Sequence, residues 1–182
     1  MNILLTGGLG YIGSHVAVTL LNAGYEVFIV DNLINSDIKT LEKIEKITNK
    51  KVSFNEIDIR NTEGLNKIFD NNNLDAVIHL SGLKAVSESV ILPLEYYSSN
   101  VSGSVSLFKV MQAHNVKKIV FSSSATVYGN PQYLPIDEDH PIEAINPYGS
   151  TKIMIENILR DMSDSDNDWS LSLIHISEPT RL

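Results

Sequence analysis

Thr6-Gly7-Gly8-Leu9-Gly10-Tyr11-Ile12-Gly13 stands between an apolar run and an amphipathic one. Before it, Asn2-Ile3-Leu4-Leu5 reads as a buried strand, and after it Tyr11 to Ala23 reads as a helix. A strand that turns over glycines into a helix start is a receptor for a dinucleotide pyrophosphate. Gly7 permits the tight turn, Gly10 lets the backbone approach the phosphates, and Gly13 lets helix and strand pack closely. The free N–H groups of the first helical turn and the positive end of its dipole then bind the anion. A glycine trio alone is a weak signal, and here the context strengthens it. Asp31 ends the next apolar run, Glu26 to Val30, where its carboxylate can accept hydrogen bonds from a ribose diol.

Working outward, Val52 to Ile57, Ala76 to Leu80 and Lys118 to Ser122 read as further strands. Between them lie helical spacings: Leu41, Ile44 and Ile47, then Leu65, Ile68 and Phe69, then Val101, Val105, Phe108 and Val110. This alternation predicts an α/β fold, a doubly wound parallel sheet of Rossmann type with helices on both faces. Gly129 to Asn146 breaks the rhythm, and its Pro131, Pro135 and Pro141 mark a long loop of the kind that is often functional. Tyr148 to Met162, just after Pro147, reads as another helix, and Trp169 to Ile176 as the start of a sixth strand.

The 182 residues fit one domain, and with 43% apolar residues the chain can bury a substantial core. A net charge of −8 argues against nucleic-acid or anionic-membrane partners. It is no obstacle to a dinucleotide, whose phosphates backbone N–H groups can hold. With no cysteine there is no disulfide framework, thiolate metal site or cysteine nucleophile. The first strand starting at Asn2 leaves no room for a signal peptide, and no apolar stretch reaches the roughly 18 residues of a membrane span. A cytoplasmic location is the expectation.

Polar residues at three further strand ends point to a ligand, since ligands of such sheets bind outside the strands' carboxyl ends. Asp58 can accept from an adenine amino group, or serve as a helix cap or turn residue. In Ser81-Gly82-Leu83-Lys84, Gly82 permits close backbone approach and Lys84 supplies a cation, although a lone lysine also suits any solvated surface. Ser122-Ser123-Ser124 puts three hydroxyls in a row, more than turn chemistry requires. Tyr148 and Lys152 are four apart and share a helix face. The ammonium is therefore expected beneath the ring, favouring the phenolate and lowering a pKa that starts near roughly 10. Such a tyrosine acts as a general base on a sugar hydroxyl, with Ser124 giving the first hydrogen bond. His15, His79, His114, His140 and His175 show no metal-ligand spacing, so no metal is assigned.

These stretches resemble the N-terminal part of the UDP-glucose 4-epimerase family of extended short-chain dehydrogenases/reductases. The resemblance rests on Thr6 to His15, Asp31-Asn32-Leu33, Asn35-Ser36, Gly82 to Val86, Pro93 to Tyr97, Phe121 to Gly129, and Pro147-Tyr148-Gly149 with Lys152. It implies NAD as cofactor and a UDP-hexose as substrate. By position, Tyr11 and Ile12 contact the pyrophosphate, while Asp31, Asn32, Leu33, Asn35 and Ser36 surround the adenosine ribose. Asp58 and Ile59 flank the adenine, and Leu80, Ser81, Gly82 and Lys84 line the cofactor groove with Ser122. Ser124, Tyr148 and Lys152 form the catalytic group. Ser99 falls where some relatives carry an NAD-contacting asparagine, and Asn100 beside it keeps the family residue. The implied reaction interconverts UDP-glucose and UDP-galactose. Tyr148 takes the 4-hydroxyl proton while the C4 hydride passes to NAD, and the keto sugar rotates and takes the hydride back on its other face. Full-length relatives of this type imply a homodimer.

After Asp168-Trp169-Ser170 the sequence leaves the family pattern, and Leu171 to Leu182 reads more like a translated sequencing adapter. The expectation is a domain at 1–170 that binds NAD, an aberrant tail at 171–182, and a reading frame that ends before the substrate domain. On that expectation, the apolar face of Met154, Ile155 and Ile158 lacks its proper cover. Two other readings stay open: an NAD-binding module without turnover, and another sugar-nucleotide enzyme such as a 4,6-dehydratase. The dehydratase ranks lower, because its acid/base pair Asp-Glu is here Ala125-Thr126.

Overall fold

The computed structural model describes residues 1–174. Each apolar run becomes a strand because its alternate side chains enter two separate cores. Leu4 and Val30 face one core, while Leu5 and Ile29 face the other. The strands β1 (Asn2–Thr6), β2 (Glu26–Asp31), β3 (Ser53–Glu56), β4 (Ala76–His79), β5 (Lys118–Ser122) and β6 (Ser170–Ile174) form a six-stranded sheet in the order β3-β2-β1-β4-β5-β6. All pairings are parallel, with Leu4 opposite Phe28 on one side and Val77 on the other.

The helices α1 (Tyr11–Asn22) and α2 (Lys39–Thr48) cover one face through Ala17, Leu21 and Ile44. The helices α3 (Thr62–Asn71), α6 (Gly103–Ala113) and α7 (Pro147–Ser165) cover the other through Leu65, Phe69, Leu107, Met111, Ile155 and Leu159. Chain order reverses between β1 and β4, and such a switch point opens a crevice at the strands' carboxyl ends.

Three features differ from expectation. The stretch before the sixth helix is already helical: α4 (Val86–Ile91), α5 (Pro93–Tyr96) and a π-helical turn at Tyr97–Ser102 lead into α6. Propensity hides this, because Ser98, Ser99 and Asn100 are weak helix formers, and tertiary bonds of Asn100 hold the turn. Secondly, β3 and β4 are shorter than the apolar runs that announced them, and a 3₁₀ turn at Ala125–Tyr128 follows β5.

Thirdly, α7 does not lack its cover. Trp169 is buried, and Leu171 and Leu173 of β6 pack against the core that holds Ile155, Ile158 and Leu159. Period-two alternation in Ser170-Leu171-Ser172-Leu173 suffices to face both leucines inward, whatever their origin. Met154 points away and is 44% exposed. The expected strand residue Ile176, with His175 and the rest of the tail, lies outside the described residues.

Candidate active site

The first turn of the site is set by backbone space. Gly7 has φ +70°, and a Cβ on it would meet the Ser81 backbone nitrogen at 2.8 Å. A Cβ on Gly13 would lie 2.2 Å from the Gly7 carbonyl oxygen, so α1 can start against β1 only with hydrogen there. No side chain caps α1, and its first turn contains no acid. The first helical bond runs from Ser14 N–H to the Gly10 carbonyl (2.9 Å), so the N–H groups of Tyr11, Ile12 and Gly13 precede it. They stand at the wall of the crevice.

Strand ends supply the remaining wall. The crevice joins Gly7, Gly10, Tyr11, Ile12 and Gly13 to Asp31, Asn32, Asn35 and Ser36, then to Asp58, Ile59, Leu80, Ser81, Gly82, Lys84, Ser99 and Ser122. Leu33 is not in the wall. Its backbone has φ +58° and its N–H donates to Asp31, so it shapes the turn from behind. Ile57, which the sequence reading placed only at a strand end, lines the crevice.

Asp31 is buried, and its carboxylate accepts from Leu9 N–H (3.0 Å), Leu33 N–H (3.0 Å) and Ser36 O–H (2.7 Å). It thus ties the glycine turn to the loop after β2. Asp58 is held by Arg60, whose backbone N–H, Nε and Nη2 all donate to it, and by the Asn32 amide. The Arg60 guanidinium is the main reason that the Asp58 pKa falls to about 2. Asn100, 1% exposed, clamps the Gly82-Leu83 turn: its Oδ1 accepts from Leu83 N–H (2.8 Å) and its Nδ2 donates to the Leu83 carbonyl and to Thr151 of α7. Nothing in the spacing announced this clamp, since its partners lie 17 and 51 residues away.

Tyr148 and Lys152 stand one turn apart at the buried start of α7, whose N-cap Asn146 accepts from Gly149 N–H (2.8 Å). The Lys152 Nζ lies 5.8 Å from the Tyr148 ring centroid and 4.8 Å from that of Phe121. It donates to the Ser122 carbonyl at 2.9 Å, and so meets the crevice wall. Here the geometry corrects one expectation. Burial raises the Tyr148 pKa, with a hydrogen bond to Ser124 opposing it, and Lys152 does not bring it down. The ammonium lies over the ring as expected but gives its hydrogen bond to the strand carbonyl, and burial lowers its own pKa to about 8, against the pull of Glu156. Ser124 Oγ also accepts from the Thr126 N–H and hydroxyl.

Glu156, one turn beyond Lys152, is buried at 1% exposure and accepts from Ser123 Oγ–H. The sequence carries a signal for it, since an acid occupies a position on the face that Tyr148, Lys152, Ile155 and Leu159 bury. Among the described residues, no group of three or more His, Cys, Asp or Glu could hold a metal, and no helix is long and apolar enough to cross a membrane.

An open helix start between glycines, an acid at the second strand's tip and a Tyr–Lys pair beside the crevice together define a dinucleotide-binding domain of short-chain dehydrogenase/reductase type. A family model described as GDP-mannose 4,6 dehydratase matches residues 4–178, and the chain belongs to that family. Curated relatives named UDP-glucose 4-epimerase include one from Bacillus subtilis (strain 168), 52% identical over 98% of this chain and 53% of its own length. Another, from Dictyostelium discoideum, is 49% identical over 97% of this chain and 52% of its own. The UDP-glucose 4-epimerase of Bifidobacterium longum, solved with NAD+ and UDP, superposes with a TM-score of 0.95 at 48% identity, covering 96% of this chain and 52% of that one. The chain therefore spans about half the length of the relatives it matches.

Proposed function

We propose that this chain is the NAD-binding half of a UDP-glucose 4-epimerase, with residues 1–170, extended through β6 to Ile174, as the cofactor domain. The observation that carries the reading is the Tyr148–Lys152 pair, joined through the Ser122 carbonyl to the wall of a crevice built on an open helix start. The glycine cradle supports a dinucleotide, because Gly7 and Gly13 let α1 start close against the strand ends, and Gly10 leaves the backbone open at the crevice wall. NAD, when bound, supplies a hydride acceptor for sugar C4. The residues do the rest. Backbone N–H groups of Tyr11 and Ile12 hold phosphate, Asp31 and Ser36 border the ribose, and Asp58 and Ile59 border the adenine. The Tyr148 phenol exchanges the proton of the 4-hydroxyl, Ser124 shares a hydrogen bond with it, and the Lys152 ammonium completes the group from the Ser122 carbonyl at the crevice wall.

A 4,6-dehydratase, the activity in the family model's name, is disfavoured by one feature. Ala125 and Thr126 fill the 3₁₀ turn after Ser124, and neither offers the carboxyl that water elimination needs. Asp31 also disfavours a 2′-phosphate, so NAD is preferred to NADP. The exposed Val90, Ile91, Leu92 and Leu94 offer an apolar face on which two copies of the whole protein pair, and a cytoplasmic location suits a chain without cysteine.

The test joins this chain to the C-terminal half of the Bacillus subtilis relative and measures UDP-galactose epimerisation. The expected result is turnover that Tyr148→Phe lowers by about 10²–10⁴-fold. A Tyr148→Phe protein retaining half the rate removes Tyr148 from the proton step. NADP bound as tightly as NAD removes Asp31 from the ribose.

A further inference from the structure

The start of α7 grips the end of β5 at two consecutive residues. Lys152 Nζ donates to the Ser122 carbonyl at 2.9 Å, and the next residue, Ser123, donates its hydroxyl to the Glu156 carboxylate. Lys152, Glu156 and Ser123 are 5%, 1% and 7% exposed. Burying an ammonium is costly unless an opposite charge and hydrogen bonds accompany it. Residues four apart on a helix have Cβ atoms about 5–6 Å from each other, so Glu156 carries that opposite charge on the same face.

We propose that Glu156 is a positioning residue: its carboxylate anchors Ser123 and supplies the counter-charge that keeps the Lys152 ammonium on the Ser122 carbonyl. The proposal rests on the functional reading above for its consequence, since Lys152 belongs there to the catalytic group beside the cofactor crevice. Its physical content does not depend on a cofactor. Ser122, Ser123 and Ser124 take three different tasks, binding Lys152, binding Glu156 and facing Tyr148, so one carboxylate sets the alignment of all three. This explains the hydroxyl at Ser123, and it explains an acid on a face that otherwise buries apolar side chains.

The groups around Lys152 leave this task to Glu156. On α7, Tyr148 is neutral because burial raises its pKa. From β4, His79 is kept neutral by burial, its pKa pushed down to about 3, and the nearby Lys152 charge adds to that. From β5 come the Ser122 carbonyl and the Phe121 ring. Tyr96 of α5 packs edge-on to Tyr148 and donates to Glu88 of α4. Tyr128 in the 3₁₀ turn feels Glu156 together with Glu138 and Asp137 of the following loop. Among the described residues, Glu156 is the acid whose charge holds the Lys152 pKa up against burial.

The experiment labels lysine side chains with ¹³C in the 182-residue chain, assigns Lys152 by the signal lost in Lys152→Arg, and follows it with pH. Glu156→Gln is expected to lower the Lys152 midpoint by about one unit or more, within the range for an opposite charge a few ångströms away. Ser123→Ala removes the same hydrogen bond but keeps the charge, so its midpoint stays within a few tenths of a unit of wild type. Glu156→Asp, which keeps the charge on a shorter arm, keeps most of the midpoint and carries the test if Glu156→Gln does not fold. An unchanged midpoint in Glu156→Gln, equal shifts in Glu156→Gln and Ser123→Ala, or a full unit lost in Glu156→Asp each overturn the proposal. NAD titration of the same samples separates the two readings. Wild type that binds no NAD defeats the functional reading, while the Lys152 midpoint still decides the role of Glu156.

Discussion

His79 carries the acid sensitivity of the fold. It is fully buried between Thr6 Oγ1 (2.7 Å from Nδ1) and Ser104 Oγ (2.9 Å from Nε2). The Ser104 hydroxyl donates to the Asn100 carbonyl, so Nε2 carries the imidazole proton and Nδ1 accepts from Thr6. Its folded pKa of about 3 lies below the ordinary 6.5, chiefly through burial. Between these values the unfolded chain takes up a proton that the folded one refuses. Stability is therefore complete above pH 6.5 and falls as pH is lowered towards 3, by about 1.4 kcal/mol per unit. Urea unfolding at pH 7.5 and pH 5 reads this, and His79→Gln is expected to flatten the difference. Asp58 stabilises fully above pH 3.8 and loses that contribution only as pH falls from there towards about 2, below the range compared. Equal wild-type stability at both pH values would show that His79 does not titrate in this way. The sequence made the Tyr148–Lys152 proximity legible, because helical spacing is local. It did not reveal which way the ammonium turns, because the Ser122 carbonyl is 30 residues away.

At the scale of the element, the glycine turn separates folding from binding. Gly10 has ordinary φ, and a Cβ there would meet only the Gly7 carbonyl oxygen, at 3.3 Å. On Gly13 the added carbon lies 2.2 Å from that oxygen and 2.7 Å from the Gly8 Cα, so α1 must move off the strand. Overpacking of this kind costs about 1–3 kcal/mol, which in a domain of this size lowers the melting point by several degrees. Gly13→Ala is thus expected to lose both stability and NAD affinity, and Gly10→Ala to lose affinity with little change in melting. Thermal melts with NAD titrations check the pair. A Gly10→Ala protein that binds NAD like wild type places the phosphates elsewhere. The strand-turn-helix unit could be read from sequence because a few glycines and one apolar period determine it. The π-helical turn could not, because buried Asn100 holds it by bonds to the distant Leu83 and Thr151.

For the whole molecule, the strand that follows α7 decides whether the site holds its shape. Alternation in the sequence was enough to place β6, but its energetic role depends on partners elsewhere in the chain. Its five residues pair with β5 from Lys118 to Ser122, the strand whose last carbonyl receives Lys152. Trp169 is 6% exposed, and with Leu171 and Leu173 it closes the core under Ile155 and Leu159. Removing a buried aromatic side chain alone costs about 3–5 kcal/mol, against roughly 5–15 kcal/mol for a whole domain. A chain ending at Asp168 is therefore expected to lose cooperative melting and, with it, NAD binding, while the 182-residue chain melts cooperatively. Circular dichroism melts with and without NAD compare the two. A chain ending at Asp168 that melts within a few degrees of the longer one would mean that β6 only rests on the sheet. The expected outcome places α7, and both of its site residues, under the control of the strand that follows it in the chain.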